Sequence, residues 1–110
     1  MKVKAVSKYQ RVSHRKIRRI LDLVRGKKAN EAMVILKFLP HAGAKIAEYC
    51  LKSAIANATN NYKLDAASLV VAECYVTPST PMKRIRPASR GRAFAILKRA
   101  SHITMLVEAR

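Results

Sequence analysis

The strongest hydrophobic pattern in the chain is an apolar stripe at helical spacing close to its N-terminus. Four apolar residues follow the i, i+3, i+4, i+7 spacing of one helix face: Ile17, Ile20, Leu21 and Val24. Ser13 suits the N-cap position, and Gly26 is the residue type expected just after a helix. The pattern predicts a helix from His14 to about Arg25 that packs by one face. The opposite face would present four arginines and one acid: Arg15, Arg18, Arg19, Arg25 and Asp22.

Two more helices are predicted in the middle of the chain. The first would begin at Asn30, a candidate N-cap, and would be closed by Pro40. Its short apolar face comprises Ala32, Ile35, Leu36 and Leu39. The second would run from about Ala42 to Asn60, and its apolar positions also repeat at helical spacing: Ala47, Cys50, Leu51, Ala54, Ile55 and Ala58. Because most of these side chains are small, we expect this helix to approach a neighbouring element closely.

Alternation of polar and apolar residues predicts strands at both ends of the chain. Met1 to Arg11 suits an edge strand protected by lysines. From Ser68 to Thr77 strict alternation would place four residues on one face, namely Val70, Ala72, Cys74 and Val76. Ala93 to Glu108 suits one long return strand, in which Leu97, Ile103, Met105 and Val107 share a face. The predicted fold class is therefore α+β, with three helices packed on one face of a small antiparallel sheet of about three strands.

A proline-rich basic segment separates the last two predicted strands. The sequence PSTPMKRIRPASRGR, residues 78–92, holds three prolines, five cations and no acid. Proline lacks the amide that a sheet ladder needs, which places the segment at a sheet edge or outside the sheet. We predict a long, extended basic β-hairpin whose protruding arm is residues 78–93 of a single domain, 1–110. At ~3.3 Å per residue, about ten residues each way would reach roughly 30 Å from the body.

The charge of the chain is large and uneven. Lys and Arg total 23 against 6 acids, for a formal net charge of +17. Residues 1–28 carry eleven cations and one acid, residues 29–77 carry four of each, and residues 78–99 carry seven cations and no acid. A charge of this size on a short chain repels itself unless a polyanion neutralises it. The pattern favours a nucleic-acid partner over a membrane surface.

Patterns typical of enzymes and metal sites are weak in this sequence. Ser13 and Lys16 match an SxxK pattern, but the accompanying SDN and KTG motifs are absent, and Ser13 is better explained as a helix cap. The histidines His14, His41 and His102 are scattered, without the i, i+4 spacing of a zinc helix. We therefore expect no enzymatic activity, no metal and no cofactor.

Cysteine usage and hydropathy bear on where the protein acts. Cys50 and Cys74 lie in apolar surroundings without a CxxC motif, which is typical of reduced core cysteines in an intracellular protein. The N-terminus is polar and basic, unlike a signal peptide, and no apolar run approaches the ~18 residues of a membrane helix. We expect a cytoplasmic protein with no membrane partner.

The kind of nucleic acid follows from the side chains available. Arginine makes planar, bidentate contacts to phosphate and stacks on bases. The aromatic residues, which would stack single-stranded bases, are few and dispersed: Tyr9, Phe38, Tyr49, Tyr62, Tyr75 and Phe94. This composition favours recognition of folded RNA through its shape and phosphates over a single-strand-binding surface.

Several short stretches, taken in order and spacing, resemble one known family over nearly the whole chain. They are RGKK at 25–28, SAIANA at 53–58, MKR at 82–84 with a following Pro87, RGRA at 90–93 and KRASHIT at 98–104. The chain is similar to the large-subunit ribosomal protein family L-twenty-two, bacterial type. The resemblance implies three helices, a three-stranded antiparallel sheet and a long hairpin.

The same resemblance implies a function and partners. The protein would bind several domains of large-subunit rRNA and support early assembly, as a monomer within the ribosome. Its body would lie near the exit of the peptide tunnel, and the hairpin would line the tunnel wall. The tip would contact the nascent peptide and share the narrow part of the tunnel with the L-four family, among other large-subunit proteins. An organellar ribosome would also fit a bacterial-type sequence.

We predict two sets of site residues on this basis. The rRNA-binding set combines both basic blocks with one histidine: Lys2, Lys4, Lys8, Arg11, Arg15, Lys16, Arg18, Arg19, Arg25, Lys27, Lys28, Lys83, Arg84, Arg86, Arg90, Arg92, Lys98, Arg99 and His102. The hairpin-tip set, facing rRNA or the tunnel, is Met82, Lys83, Arg84, Ile85, Arg86, Pro87, Ala88, Ser89, Arg90 and Gly91.

The sequence departs from the family pattern at two places around this tip. The family often has an acidic Asp-Glu-Gly-Pro lead-in to the hairpin, whereas residues 76–81 here read VTPSTP. The family's Pro-Arg-Ala after the tip is Pro87-Ala88-Ser89 here, one arginine fewer.

An alternative from another class is an architectural DNA-binding protein that inserts a basic β-arm into a groove. Such proteins are usually dimers, and this chain shows no obvious dimer seam.

Overall fold

The structure is a computed structural model that describes residues 2–79, 82–87, 91 and 93–109, with only the backbone described for 82–87 and 93–98. The elements, in chain order, are β1 (Lys2–Gln10), α1 (His14–Val24), α2 (Ala29–Phe38), α3 (Ala42–Asn61), a 3-10 turn (Ala66–Ser68), β2 (Leu69–Pro78), β3 (Met82–Pro87), β4 (Ala93–Lys98) and β5 (Ser101–Ala109). Three helices and a three-stranded antiparallel sheet confirm the predicted α+β class.

The main sheet has the strand order β1-β5-β2, with both pairings antiparallel. β1 is therefore an edge strand, as its lysines predicted. Val3 and Ala5 point into the core, while Lys2, Lys4 and Lys8 are exposed. The helices supply the other side of the core: α3 contacts β1 and β5, and α1 contacts β2.

The alternation predicted along β2 is wrong over half of the strand. The pairing with β5 shifts by one residue between Val71 and Glu73, so that Ala72 is the extra residue of a β-bulge. Leu69 and Val71 are buried before the bulge, and Cys74 and Val76 are buried after it. The extra residue of a bulge switches the face on which every later side chain lies. The buried face therefore holds Leu69 and Val71 from one predicted face and Cys74 and Val76 from the other.

The predicted long return strand is also interrupted. It divides into β4 and β5 at Arg99 and Ala100. The Ala100 carbonyl accepts a hydrogen bond from the Ser79 amide at 2.9 Å, and the buried Ser101 hydroxyl donates to the Val12 carbonyl at 2.6 Å. β3 and β4 pair with each other in a separate two-stranded antiparallel sheet. A long protruding basic hairpin stays a prediction.

The helices follow their apolar stripes closely, with one error at a helix start. The predicted stripe of α1 is fully packed, since Ile17, Leu21 and Val24 have no exposed surface. The predicted N-cap Asn30 is wrong, because α2 already begins at Ala29. Lys28, the residue before it, forms an isolated β-bridge with Val70. This pairing with β2 holds Lys28 in extended conformation directly before the helix. Residues close to Lys28 in the sequence give no sign of it.

Both cysteines are reduced and buried in the core, as predicted. The Cys74 thiol lies 3.5 Å from the Leu21 carbonyl, and the Cys50 thiol lies 3.6 Å from the Ala5 carbonyl and 3.7 Å from that of Ile103. Burial raises the pKa of both thiols above the ordinary value of 9.0.

These raised pKa values predict a loss of stability in alkaline solution. The thiols ionise more readily in the unfolded chain, so their contribution is fully present below the unfolded pKa and is lost as pH rises above it. Each thiol can contribute a slope of up to about 1.4 kcal/mol per pH unit. The free energy of unfolding, measured under reducing conditions from about pH 8 upward, should fall more steeply for the wild type than for the Cys50→Ala/Cys74→Ala variant. Lysines and tyrosines also titrate in this range, but they are common to both proteins. If the free energy of unfolding falls equally with pH in both, the buried thiols are not the cause.

Gly26 lies at the turn between α1 and α2 and has a φ of +82°, in the left-handed region. Its amide donates to the Val71 carbonyl at 3.0 Å, and the Val71 amide donates to the Lys27 carbonyl at 2.9 Å. A Cβ at this position would meet no atom within 4 Å, so a substitution here changes only the backbone energy.

Replacing Gly26 with alanine is therefore expected to lower the free energy of unfolding by about 1–2 kcal/mol. Asparagine tolerates the left-handed region better, so Gly26→Asn should cost clearly less than Gly26→Ala. Urea denaturation of the three proteins checks the order. Equal losses for the two variants would mean that the cost is not conformational.

Candidate nucleic-acid interface

The best-defined basic surface is the outer face of α1. The Ser13 hydroxyl caps this helix by accepting a hydrogen bond from the Arg15 amide at 3.4 Å. With the apolar stripe packed inward, Arg15, Arg18 and Arg19 are exposed on the other side. Among the residues that the structure describes, no carboxylate lies within salt-bridge distance of these three guanidinium groups. They are open to an external anion.

Arg25 differs from these three arginines, although the sequence grouped it with them. Its guanidinium pairs with Asp22 and also donates to the Cys74 carbonyl on β2 at 2.8 Å. The hydrogen bond with Asp22 raises the pKa of Arg25 above its ordinary value. Arg25 therefore joins the C-terminal end of α1 to the sheet, and its donors are partly used within the protein. The basic face of α1 has three open arginines rather than four.

The remaining cations of the N-terminal block surround α1. Arg11 and Lys16 are exposed at its start, and Lys27 and Lys28 are exposed just beyond its end. The bridge between Lys28 and Val70 holds this second pair against the sheet. The structure thus brings the cations of residues 11–28 onto one helix and its two ends.

The lysines of β1 form a second group at the sheet edge. Lys4 and Lys8 are exposed, while the Lys2 ammonium lies 3.1 Å from the Glu73 carboxylate across the sheet. Both partners of that pair are about half exposed, so the pair adds little stability. Lys2 is therefore less available to an external anion than Lys4 and Lys8.

Tyr9 and His102 form a polar pair at the end of β1 that the sequence did not predict. The Tyr9 amide donates to His102 Nδ1 at 3.0 Å, and the two rings meet edge to face with centroids 4.8 Å apart. Tyr9 has a φ of +58°, which an L-residue adopts rarely. It lies where the pairing of β1 with β5 is irregular, since the register shifts between Ser7 and Gln10. Because Nδ1 accepts this bond, the neutral ring carries its proton on Nε2, where it can donate to a partner.

The C-terminal basic block is described only in part. Lys83, Arg84 and Arg86 lie in β3, where their backbone pairs with Leu97, Ile96 and Phe94 of β4. Lys98 ends β4, and the next residue, Arg99, is exposed. Gly91 has a φ of +71°, so that glycine suits this position. The predicted site residues Ala88, Ser89, Arg90 and Arg92 lie outside the described residues.

Metal binding and membrane insertion would each leave a recognisable arrangement in the described residues. Within them, no three histidine, cysteine or acidic side chains are grouped so as to hold a metal ion. Of the described helices, none is long and apolar enough to cross a membrane.

Comparison with known proteins identifies the family. The sequence profile described as "Ribosomal protein L22p/L17e" matches residues 5–108. A protein of Clostridium novyi (strain NT) named "Large ribosomal subunit protein uL22" is 47% identical over 110 residues, covering 100% of this chain and 99% of the relative. The protein of the same name from Clostridium tetani (strain Massachusetts / E88) is 49% identical over 110 residues, with the same coverage. The chain belongs to the ribosomal protein L22p/L17e family.

Proposed function

We propose that this protein is a structural constituent of the large subunit of the bacterial cytoplasmic ribosome and binds large-subunit rRNA. Family membership supports the structural, non-catalytic role and the place in the large subunit. The observation that carries the RNA assignment is the open arginine face of α1, mounted on a packed body. Lys4 and Lys8 at the sheet edge, with Arg11, Lys27 and Lys28 at the ends of α1, extend the same basic surface.

The mechanism of binding follows from this surface. Guanidinium groups on a rigid helix make bidentate contacts to phosphates without first being released from internal ion pairs. Each phosphate contact displaces condensed counterions, so affinity falls steeply as salt rises. Since the arginines are fixed by a helix, their spacing selects an RNA shape rather than a sequence.

The basic β3–β4 segment has a second proposed role, in the peptide exit tunnel. We propose that it extends from the body, contacts several rRNA domains, and lines the tunnel beside the L-four family protein and the nascent peptide. Three features support this proposal: its separate two-stranded sheet, its run of cations without acids, and a longest molecular extent of 62 Å against 25 Å and 16 Å in the other directions.

A competition experiment tests the proposed function. The protein is mixed with isolated large-subunit rRNA and with an equal mass of bulk duplex DNA at physiological salt, and the distribution is measured by sedimentation. Preferential recovery with rRNA, and incorporation into reconstituted large subunits, is the expected result. Equal distribution between the two nucleic acids would instead support an architectural DNA-binding protein.

Shortening β3 tests the division of labour between the body and the β3–β4 segment. Deletion of Met82-Lys83-Arg84 removes three of the six residues of β3 and leaves in place every core residue that the structure describes. We expect the free energy of unfolding of the body to change by less than about 0.5 kcal/mol, and the variant to enter large subunits. Stalling by certain nascent chains, or the response to inhibitors that bind in the tunnel, should change.

A charge-only variant makes this comparison sharper. Lys83→Ala/Arg84→Ala removes the same two cations but keeps the length and register of the β3–β4 ladder. If only the deletion alters tunnel behaviour, the space around the segment matters more than its charge. If subunit assembly collapses while surviving particles show unchanged tunnel behaviour, the segment is an assembly anchor instead.

A further inference from the structure

A cleft of about 660 Å³ opens between α1 and the connection from α2 to α3. Its lining has an apolar part and a charged part. The apolar part includes Ile20, Leu23 and Pro40, and the charged part includes Arg11, Lys16 and Arg19. None of the described residues that line the cleft is acidic.

Rigid elements form the walls of this cleft. Lys16, Arg19, Ile20 and Leu23 follow helical spacing, so one stripe of α1 forms one wall. On the other side, α3 lies so close that a Cβ on Gly43 would be 3.1 Å from Ile20 Cδ1. Connections between elements complete the lining, with Arg11, Val12 and Ser13 before α1 and Pro40 and His41 before α3. Because the two helices pack this closely, the helical walls of the cleft are in place before a ligand binds.

Leu23 shows that the apolar lining is not simply part of the core. Its side chain is 49% exposed, although the helix around it is strongly basic. Ile20, one turn earlier on the helix, is only 3% exposed. An apolar surface bordered by three cations is complementary to a group that is itself both apolar and anionic.

We infer that this cleft receives one unpaired nucleotide of the RNA, with its base on the apolar lining and its phosphate at Arg11, Lys16 and Arg19. The inference rests on the proposed function, because the ligand is taken from the same RNA. Bases that are splayed out of loops and bulges are the usual targets of specific RNA recognition. His41, which also lines the cleft, and the guanidinium groups offer planar surfaces for stacking on such a base. The volume is within the range of pockets that enclose a ligand of nucleotide size.

A fully paired RNA would not use this site. In a duplex the bases are stacked and paired, so a protein meets phosphates, 2′-hydroxyls and base edges, and no base is free to enter the cleft. A peptide segment of a neighbouring ribosomal protein is a different occupant, and the test below distinguishes it.

The inference is tested with a substitution that fills the cleft without changing the charge of its lining. Ala42 lines the cleft at the first residue of α3 and is exposed, so Ala42→Leu occupies the space while leaving every cation in place. Ala56→Leu, at another exposed position of α3, is the matched control. Affinity is measured for intact large-subunit rRNA and for a fully paired RNA duplex, over a range of salt concentrations. Circular dichroism and urea denaturation establish that both variants are folded.

The expected result is selective. Ala42→Leu should weaken binding to intact rRNA by about tenfold, the scale of one lost base contact, with an unchanged salt slope because no phosphate contact is removed. Binding to the paired duplex, and both affinities of Ala56→Leu, should match the wild type. If Ala42→Leu does not fold, Leu23→Ala compared with Val34→Ala, at a similarly exposed position of α2, repeats the test by removing the apolar lining.

Other outcomes overturn the inference without affecting the proposed function. Wild-type affinity of a folded cleft variant for rRNA would show that no nucleotide enters, and an equal loss on the paired duplex would show that the cleft contacts only backbone. UV crosslinking in assembled subunits is expected to give a nucleotide adduct on residues 11–23 or 40–43. A crosslink to another protein at these residues would assign the cleft to a peptide segment. If the wild type itself fails to prefer rRNA over DNA, the proposed function fails instead.

Discussion

Replacing Arg15, Arg18 and Arg19 together with alanine is expected to weaken binding to large-subunit rRNA by about a hundredfold at physiological salt. All three guanidinium groups are exposed on α1, and no described carboxylate pairs with them. If each contacts one phosphate, the slope of log affinity against log salt should become shallower by about 2–3. Binding measured at four or five salt concentrations gives both quantities from one data set.

The matched control is a second triple variant with the same loss of charge. Lys37, Lys45 and Lys52 are exposed on α2 and α3, in the part of the chain where cations and acids balance. Their replacement by alanine also lowers the formal net charge of +17 by three. If net charge alone drives binding, the two variants should lose affinity equally. A much smaller loss for the lysine variant would assign the RNA contacts to the α1 face.

Neither triple variant is expected to lose enough stability to affect the measured affinities. The substituted side chains lie outside the core, and alanine has the highest helix propensity of any residue. Surface substitutions of this kind change stability by about 0.5 kcal/mol or less. Arg25 is left in place because its guanidinium holds the Cys74 carbonyl. An unchanged salt slope in a folded arginine variant would exclude the α1 face as an RNA surface.

The success of the sequence prediction at α1 has a simple physical reason. A helix that packs by one narrow face needs apolar residues at a fixed period, and every predicted stripe position is at most 3% exposed. A Ser N-cap and a left-handed Gly at the two ends are local requirements, so they can be read from nearby residues. The basic face follows because charged residues occupy the positions that remain.

Features set by distant partners could not be predicted in the same way. The bulge at Ala72 depends on how β2 pairs with β5, and the start of α2 depends on the bridge between Lys28 and Val70. The contact of Arg25 with the Cys74 carbonyl joins residues 49 positions apart. Tyr9 at the end of β1 and the cleft beside α1 arise from tertiary packing, so composition and spacing give no sign of them. The sequence therefore predicted which residues are basic, but not which of them are already engaged.

Leu51→Ala is expected to have the largest effect on stability, lowering the free energy of unfolding by about 3–4 kcal/mol. Leu51 has no exposed surface, and α3 contacts the sheet through β1 and β5 as well as the other two helices. Since packed elements surround it on several sides, a cavity left by the substitution cannot easily collapse. Domains of this size have total stabilities of about 5–15 kcal/mol, so the loss is a large fraction.

Two controls in the same helix isolate the packing contribution. Tyr49→Ala removes a larger side chain that is 59% exposed, and it should change stability by about 0.5 kcal/mol or less. Leu51→Met keeps most of the volume and should cost less than about 1.5 kcal/mol. Urea denaturation at constant salt measures all three, and similar losses for Leu51→Ala and Tyr49→Ala would contradict the central position of Leu51 in the core.

The same variant tests whether RNA recognises the folded body or only its charge. RNA that binds the folded state alone, present at about 100 times its dissociation constant, should add about 2.7 kcal/mol of stability and restore most of what Leu51→Ala loses. An unfolded chain with a formal charge of +17 also attracts RNA, and binding to that state reduces the gain. We expect rRNA to raise the urea midpoint of Leu51→Ala strongly. An unstructured polyanion such as heparin should raise it only weakly. Equal effects of the two polyanions would mean that the arrangement of cations on α1 matters less than their number.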